Sequence, residues 1–350
     1  MTTVFPTLSD FLDARYDTII DVRSPSEFAE DHIPGAVNLP VFSDRERAQV
    51  GTIYVQQSPF LARKIGAAIL ARNAAAHIEG PLADKEGAWR PLVYCWRGGQ
   101  RSNAFAIILR QIGWRVDVVE GGYKSWRRAV VKRLYDTPLP HRFVLIDGNT
   151  GAAKTDLIAR VREQGGQVLD LEALANHRGS IFGALGRQPA QKGFESALAV
   201  ALERLDPEKP TLVEAESSRI GNCTLPPSLW AVMCAAPRFD VTAPLSSRAR
   251  YLAEAYADVV ADAHLLERLL GELVPFHGYD KVDTWKALAR EGNFVDLAGG
   301  LMAEHYDPRY AKSRKRHETQ ARIATIDLCD LGEAARDDAA TRIIALMESL

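Results

Sequence analysis

Short apolar runs alternate with longer segments of helical spacing along the first third of the chain. The runs at 17–22, 90–94 and 116–119 are bounded by polar residues or glycine, which is typical of buried strands. Residues 60–73 and the segment that ends near Gly113 instead repeat apolar positions at helical spacing. This order of strands and helices predicts a parallel α/β sheet.

A proline-marked stretch, residues 136–141, separates this pattern from a second one. The second pattern opens with a strand at 143–146, followed by a helix from Lys154 to Val161. Further strands are predicted at 167–170, 211–214 and 229–234, a mostly helical region at 246–305, and a closing helix at 335–350. We therefore expect two α/β domains, 1–135 and 142–350, joined by the linker 136–141.

The composition is that of a globular protein. Of 350 residues, 47% are hydrophobic and 25% are charged, and no apolar run approaches the roughly 18 to 20 residues that span a bilayer. The N-terminus lacks a basic segment followed by an apolar one, so we expect no signal peptide, no membrane association and a cytoplasmic location. The four cysteines form no Cys-x-x-Cys pair, which argues against a disulfide framework and a zinc site.

One short segment is strongly basic, although the net charge of −2 gives the whole protein no attraction for nucleic acid. The basic residues of this segment are Arg309, Lys312, Arg314, Lys315, Arg316 and His317. Such a cluster is a candidate for phosphate contacts, and a solvated basic face accounts for the same pattern.

The first chemical site follows the strand at 90–94 and reads Cys95-Trp-Arg97-Gly-Gly-Gln-Arg101-Ser102. Such a loop curls its backbone N–H groups around an anion, and Ser102 is placed to cap the next helix. These donors, the helix dipole and the Arg101 guanidinium favour a thiolate over a thiol. Cys95 is therefore a candidate nucleophile, with Arg97 and Arg101 as catalytic partners. A cysteine that merely ends a core strand is the alternative.

The second chemical site follows the strand at 143–146 and reads Gly148-Asn149-Thr150-Gly151-Ala152-Ala153-Lys154-Thr155. In a Gly-x4-Gly-Lys-Ser/Thr loop, backbone N–H groups hold phosphates, the lysine adds positive charge and the hydroxyl coordinates magnesium. All of these residues are predicted to bind phosphate, with Mg²⁺ at Thr155.

Ala153 stands where the last glycine of that pattern belongs. Because alanine favours negative φ, we expect it either to be helical or to alter the phosphate pocket. Glu214 and Glu216 end a later strand and are candidates to place a metal or a water, and a solvated strand end is an equally good interpretation.

Motifs in the first half resemble the rhodanese family of sulfurtransferases. They are Asp21-Val-Arg23-Ser-Pro-Ser-Glu27-Phe28, His32-Ile-Pro-Gly-Ala-Val-Asn-Leu-Pro40, the Cys95 loop and Glu120-Gly-Gly-Tyr-Lys-Ser-Trp126. The resemblance implies that Asp21 and Arg23 are structural and that Cys95 carries sulfur or selenium. The Cys-x5-Arg spacing equals that of related phosphatases, which leaves a phosphatase open, but Tyr94 stands where those enzymes have histidine.

The second half extends the resemblance to the bacterial tRNA 2-selenouridine synthases, which join a rhodanese domain to a P-loop domain. The segments that carry it are Asp170 to Ser180 with Phe182-Gly183, Glu214 to Gly221 with Leu225-Pro-Pro, and Glu304 to Tyr310. The implied fold class is an N-terminal rhodanese-like parallel α/β domain followed by a P-loop NTPase-like α/β domain with a helical region.

This resemblance implies a selenotransferase that replaces sulfur by selenium at C2 of the wobble 2-thiouridine in tRNA, with selenophosphate as donor. It also implies prior geranylation of that sulfur from geranyl diphosphate, with no tightly bound cofactor. The implied partners are tRNAs for Lys, Glu and Gln, and selenophosphate synthetase. Candidates for contacts with tRNA phosphates are Arg178, Arg219, Arg248, Arg250, Arg314, Lys315 and Arg316.

Two other functions fit the same motifs. One is a small-molecule P-loop kinase with a regulatory rhodanese or phosphatase-like module, in which Lys154 holds ATP while Arg248 and Arg250 close over it. The other is a noncatalytic RNA-binding protein in which Cys95 is simply buried. ATP turnover without tRNA favours the kinase, and a thiol that is unreactive at neutral pH favours the RNA-binding protein.

Overall fold

A computed structural model of the chain describes residues 1–178, 183, 186–215, 217–314 and 321–350. The chain divides into two compact units. The first consists of Met1–Pro138 with Pro189–Arg204, and the second of Leu139–Gln188 with Leu205–Leu350. Each unit contains a five-stranded sheet of parallel strands.

The first 138 residues alternate strands and helices, as the sequence predicts. The strands are β1 Thr2–Thr3, β2 Thr18–Asp21, β3 Val37–Asn38, β4 Pro91–Tyr94 and β5 Asp117–Val119. The helices are α1 Leu8–Asp13, α2 Pro25–Glu30, α3 Asp44–Gln56, α4 Pro59–Glu79, α5 Gln100–Ile112 and α6 Tyr123–Val131, and α6 continues into a π-helical turn at Lys132–Asp136.

The remaining chain repeats this alternation and adds a helical region. Its strands are β6 Arg142–Gly148, β7 Val168–Leu169, β8 Pro210–Glu214, β9 Arg219–Ile220, β10 Cys223–Thr224, β11 Arg238–Thr242 and β12 Arg322–Asp327. Its helices are α7 Lys154–Glu163, α8 Leu171–Ala175, α9 Gln191–Arg204, α10 Pro227–Ala235, α11 Leu245–Ala255, α12 Ala257–Val260, α13 Ala263–Gly271, α14 Val274–His277, α15 Tyr279–Arg290, α16 Phe294–Leu301, α17 Asp307–Arg314 and α18 Glu333–Glu348, with a π-helical turn at Met302–Tyr306 before α17.

Both chemical loops follow an interior strand of a sheet. The first sheet has the order β1-β5-β4-β2-β3, and Cys95 comes directly after β4. The second has the order β12-β11-β6-β8-β7, and the phosphate loop comes directly after β6. Ligands of open parallel sheets bind beyond the carboxyl ends of the strands, so each loop lies at the edge where a site is expected. The α/β fold class predicted from the sequence is confirmed.

Apolar side chains from strands and helices form separate cores. In the first unit Ile20, Val93 and Phe105 belong to one cluster, and each is fully buried. In the second unit one cluster lies on the sheet, while another, which contains Leu270 and Trp285, lies within the helical region. Each loop is therefore attached to a packed scaffold that holds its residues in place.

One predicted strand is wrong, and an interior strand of the second sheet was not predicted. Residues 229–234, predicted as a strand, lie in helix α10, because Pro227 starts a helix at its first turn and only Leu229 and Met233, four residues apart, face the core. A continuous apolar run does not distinguish a strand from a buried helix. The strand that pairs with β6 on the side away from β8 is β11, which was not predicted because charged residues interrupt it in the sequence.

Helix α9 belongs to the first unit, which differs from the predicted division at 136–141. Trp126 Nε1 donates to Ser196 Oγ at 3.1 Å, and Ser196 Oγ donates to Asp31 Oδ2 at 2.9 Å. Arg133 pairs with Glu203 at 2.7 Å. These polar contacts link helices far apart in sequence, and nothing in the local pattern of the sequence predicts them.

Candidate functional sites

Cys95 is buried at the start of its loop, with 3% of its surface exposed. Helix α5 begins at Gln100 with Gly99 as its N-cap, so the prediction that Ser102 caps this helix is wrong. Ser102 Oγ lies 3.2 Å from Cys95 Sγ and 3.2 Å from the carbonyl oxygen of Gly99. The hydroxyl can therefore donate to the sulfur, and hydrogen bonding to a thiolate stabilises its negative charge.

Two glycines determine how closely the Cys95 loop approaches the turn before α6. Gly122 has φ of 58°, and a Cβ atom there would lie 2.2 Å from the carbonyl oxygen of Cys95. Gly98 has φ of 63°, and its Cβ would lie 2.4 Å from the carbonyl oxygen of Val119. Tyr123 N donates to that same Cys95 oxygen at 2.8 Å. Only glycine fits such positions, so the Gly121-Gly122 motif shapes the loop.

Several backbone N–H groups of the Cys95 loop are unpaired among the described residues. Within the described part of the chain, none of the N–H groups from Arg97 to Arg101 donates to a protein acceptor. Unpaired N–H groups in a glycine-rich turn, next to the first turn of a helix, form an anion-binding concavity. The Arg97 side chain is exposed beside them. The loop is therefore suited to hold a small anion.

Arg101 is held by an acidic partner that the sequence analysis did not assign. Its Nη1 lies 2.9 Å from Glu27 Oε2, and both side chains are mostly buried. Burial raises the pKa of Glu27, but the hydrogen bond and charge of Arg101 outweigh it, so that the pKa is lowered from its ordinary value. Glu27 therefore stays ionised, fixes the guanidinium and neutralises part of the charge that was expected to favour a thiolate.

Asp21 and Arg23 form a fully buried ion pair, in agreement with the structural role that the resemblance implies. Arg23 Nη2 lies 2.6 Å from Asp21 Oδ2 and also donates to the backbone oxygen of Asp31. The guanidinium stacks over the Tyr123 ring, 4.0 Å from its centroid. The pair therefore links β2 to the start of α6, next to the Cys95 loop.

The phosphate loop opens into a cavity of about 490 Å³. Residues 150–155 line it, together with Asp170, Glu172, Arg178 and Tyr310. Gly148 and Asn149 are not among the lining residues: Gly148 N donates to Asp147 Oδ1, and its carbonyl accepts from Lys154 Nζ at 2.7 Å. The structure thus places six of the eight predicted loop residues around one space.

The loop presents hydrogen-bond donors to this cavity. The N–H groups of Thr150, Gly151, Ala153 and Thr155 donate to no acceptor among the described residues. Gly151 has φ of 79°, and a Cβ there would lie 3.0 Å from the carbonyl oxygen of Arg248. Free N–H groups at the first turn of a helix bind phosphates. The geometry of the loop is therefore suited to a phosphate.

Ala153 is left-handed, with φ of 57° and ψ of 26°, and is the N-cap of α7. The expectation that alanine would take negative φ here is wrong. The conformation costs an L-residue roughly 1 to 2 kcal/mol. Ala153 is buried in the core cluster of the sheet, so packing around it accounts for how the strain is tolerated.

Acidic residues border the loop. Thr155 Oγ1 donates to Glu172 Oε2 at 2.8 Å. Glu214, at the end of β8, accepts from Leu171 N at 3.0 Å, while its Oε1 has no partner among the described residues. Burial, reinforced by the charges of Asp170 and Glu172, raises the pKa of Glu214 well above its ordinary value. Its predicted neighbour in this role, Glu216, lies outside the described residues.

An apolar pocket of about 50 Å³ adjoins the phosphate cavity. The two share Thr150, Leu252, Tyr256 and Tyr306 in their linings. The pocket is otherwise lined by aliphatic and aromatic side chains of the helical region: Ala253, Val259, Val260, Leu266, Phe294, Leu297, Ala298 and Leu301. Sequence reasoning missed this pocket, because its residues are spread over α11, α12, α13 and α16.

The arginines predicted to bind tRNA have different surroundings. Arg248 is 5% exposed and donates to Asp307 and to the carbonyl oxygen of Thr150. Its geometry supports a structural role behind the phosphate loop rather than a tRNA contact. Arg178 pairs with Asp258 at 3.1 Å at the cavity wall.

The other residues predicted to contact tRNA are on the protein surface, at the end of a helix or outside the described residues. Arg219 and Arg250 are exposed. Arg314 is the last residue of α17. Lys315 and Arg316 lie outside the described residues.

Comparisons with known proteins agree with the two-part architecture. The rhodanese-like domain model matches residues 7–129, and the model of the tRNA 2-selenouridine synthase AAA domain matches residues 141–274. The fold and its two loops thus define a protein that joins a rhodanese-like domain to a P-loop domain.

Two named synthases identify the family. The tRNA 2-selenouridine synthase of Hahella chejuensis is 40% identical over 91% of this chain and 89% of its own length. That of Aeromonas salmonicida is 38% identical over 68% of this chain, and the match spans 64% of the Aeromonas protein. The crystal structure of a rhodanese-related protein from Thermoplasma volcanium is 22% identical over 36% of this chain and 90% of its own, with a TM-score of 0.24.

The chain belongs to the tRNA 2-selenouridine synthase family. In the part of the chain that the structure describes, no helix combines the length and apolarity required to cross a bilayer.

Proposed function

We propose that the protein is a tRNA 2-selenouridine synthase that acts on the wobble 2-thiouridine of tRNAs for Lys, Glu and Gln. In the first step the C2 sulfur attacks C1 of geranyl diphosphate, and diphosphate leaves. In the second step selenium from selenophosphate replaces the geranylthio group at C2, while water takes the phosphoryl group. Selenium remains at the selenide level throughout, so this exchange requires no oxidant.

The observation that carries this proposal is the apolar pocket that adjoins the phosphate cavity. A diphosphate matches the free N–H groups and Lys154, and an attached apolar chain matches the aliphatic walls beyond Leu252 and Tyr306. The pocket of about 50 Å³ has room for the end of such a chain, while the larger cavity takes the rest. A Mg²⁺ ion would be held by Thr155, with Glu172 beside it.

The Cys95 loop supports the second step. Its sulfur is next to the Ser102 hydroxyl, and its N–H groups suit a small anion such as selenophosphate. We assign Cys95 as the nucleophile that takes the phosphoryl group from selenophosphate and so releases selenide, with Arg97 and Arg101 beside it. Selenide then displaces the geranylthio group from C2, and water removes the phosphoryl group from the Cys95 sulfur. We place the protein in the cytoplasm with its tRNA substrate, and selenophosphate synthetase is the proposed source of the donor.

The test is mass spectrometry of nucleosides after purified protein is incubated with 2-thiouridine tRNA. Geranyl diphosphate alone is expected to produce S-geranyl-2-thiouridine, and selenophosphate added afterwards is expected to produce 2-selenouridine. ATP turnover without tRNA, with neither nucleoside formed, would overturn the proposal in favour of a small-molecule kinase.

A further inference from the structure

A groove of about 520 Å³ lies beside the Cys95 loop in the first unit. Its walls include the aromatic side chain of Trp96 and the cations Lys124, Arg127, Arg128, Lys132 and Lys192. We call it the Trp96 groove. Trp96 directly follows Cys95, and Lys124 N donates to the Trp96 carbonyl oxygen at 3.1 Å, so the groove begins at the loop itself. Neither the proposed reaction nor the predicted tRNA contacts use it.

Its cations fall into two groups. Arg127 pairs with Glu195, and Lys192 pairs with Glu30 at 2.7 Å, so these charges are neutralised within the protein. Lys124, Arg128 and Lys132 are exposed, and among the described residues no carboxylate lies within ion-pairing distance of them. Asp136 is the carboxylate among the lining residues. Three unpaired cations therefore face one carboxylate.

The spacing of the unpaired cations indicates an extended anionic partner. Lys124, Arg128 and Lys132 are four residues apart, on one face of α6 and the π-helical turn that follows. Like charges at this spacing repel one another and cost stability, which an ordered row of anions offsets. The row is about 12 Å long at the rise of a helix, enough to follow several phosphates of a strand.

Trp96 adds a surface for a base. Its side chain is half-buried, and its ring lies 5.2 Å from the Tyr123 ring. Positively charged grooves with aromatic side chains bind single-stranded nucleic acid, because phosphates contact the cations while bases stack on the rings. We infer that the Trp96 groove binds the unpaired anticodon loop of the tRNA and places a base on Trp96, next to Cys95. This inference rests on the proposed tRNA substrate.

The test measures affinity for a 17-nucleotide anticodon stem-loop RNA, without geranyl diphosphate or selenophosphate, at several salt concentrations. We compare Lys124→Ala/Arg128→Ala/Lys132→Ala with Arg63→Ala/Lys64→Ala/Arg72→Ala, whose exposed cations lie on α4 in the same unit. The two variants change the net charge equally. The groove variant is expected to bind roughly 10- to 50-fold more weakly at 0.15 M salt and to have a salt slope shallower by about 2. The α4 variant is expected to remain within about 3-fold of the unchanged protein.

A second pair of variants tests stacking. Trp96→Ala is expected to weaken binding roughly 5- to 100-fold, whereas Trp96→Tyr retains most of the affinity, and neither changes binding of a duplex made from the stem alone. An equal loss of RNA affinity in both triple variants, or an unchanged salt slope in the groove variant, would overturn the inference. The groove would then be a candidate site for a protein partner instead. Groove-dependent binding without any 2-selenouridine formed would sink the proposed reaction but not this inference.

Discussion

The Cys95 loop and the phosphate loop each follow an interior strand of a parallel sheet, yet they differ in the space they leave. The Cys95 loop is pressed against Gly122, and its sulfur is 3% exposed. The phosphate loop opens into a cavity of about 490 Å³. A small anion suits the first loop and a diphosphate with an attached chain suits the second, so the surroundings of each loop rather than its position after a strand distinguish the two proposed chemistries.

The largest expected effect separates the loops chemically. Cys95→Ser is expected to lower formation of 2-selenouridine at least about 1,000-fold, because a hydroxyl is a far weaker nucleophile than a thiolate. Formation of S-geranyl-2-thiouridine should continue. Nucleoside mass spectrometry measures both, and Cys329→Ser, which changes an exposed cysteine, is the control. Undiminished 2-selenouridine from the Cys95 variant would remove this cysteine from the reaction.

Lys154→Ala tests the other loop. The diphosphate leaving group loses a charge partner, so we expect the rate of geranylation to fall roughly 100- to 1,000-fold. Exchange of selenium into tRNA that already carries S-geranyl-2-thiouridine should be preserved. Lys209→Ala, at an exposed position outside the cavity, is the matched control. A normal geranylation rate in the Lys154 variant would mean that this loop binds another substrate.

Gly122→Ala tests whether close packing determines the shape of the Cys95 loop. The new Cβ would meet the Cys95 carbonyl oxygen at 2.2 Å with φ at 58°. We expect loss of 2-selenouridine formation and a decrease of roughly 2 kcal/mol or more in the free energy of unfolding. Gly35 also has a positive φ, of 81°, but no atom of the described residues lies near the position of its Cβ. Gly35→Ala should therefore lower the free energy of unfolding by only about 1 kcal/mol. Equal costs in urea denaturation would argue against the role of packing.

Glu214→Gln tests pH dependence near the phosphate loop. Burial raises the pKa of Glu214 above its ordinary value of 4.5, so the folded state favours the protonated carboxyl group. The protonated group therefore contributes its whole stabilisation below pH 4.5, and this contribution is lost as the pH rises through the pKa of the folded state. The Gln variant stays neutral, so its stability relative to the unchanged protein should increase as pH rises. Urea midpoints at several pH values measure this, with Glu163→Gln at an exposed position as control. A constant difference would contradict the raised pKa.

The smallest expected effect concerns Ala153. Glycine takes φ of 57° without strain, so Ala153→Gly is expected to increase the free energy of unfolding by up to about 1 kcal/mol. The neighbouring residue Ala152 does not have a positive φ, so Ala152→Gly should instead decrease the free energy of unfolding. Thermal denaturation compares them. A less stable Ala153 variant would show that packing of the methyl group outweighs the strain.

Much of the fold and the identity of both loops follow from the sequence. The strands before Cys95 and Gly148 are short apolar runs, and the loops carry their glycines, arginine and lysine at informative spacings. The strand predicted at 229–234 is wrong because an apolar run has no period that separates a strand from a helix. The strand β11 was not predicted, because charged residues separate its apolar residues and it therefore forms no apolar run.

The sequence by itself thus determined which residues are candidates for the chemistry, because nucleophile and phosphate loops are local patterns in the chain. Only the tertiary structure decided what surrounds them. Glu27 holds Arg101, Gly122 closes on Cys95, and Arg248 is buried behind the phosphate loop rather than exposed to RNA. These contacts join residues tens of positions apart, and which distant side chains meet depends on how helices pack on each sheet.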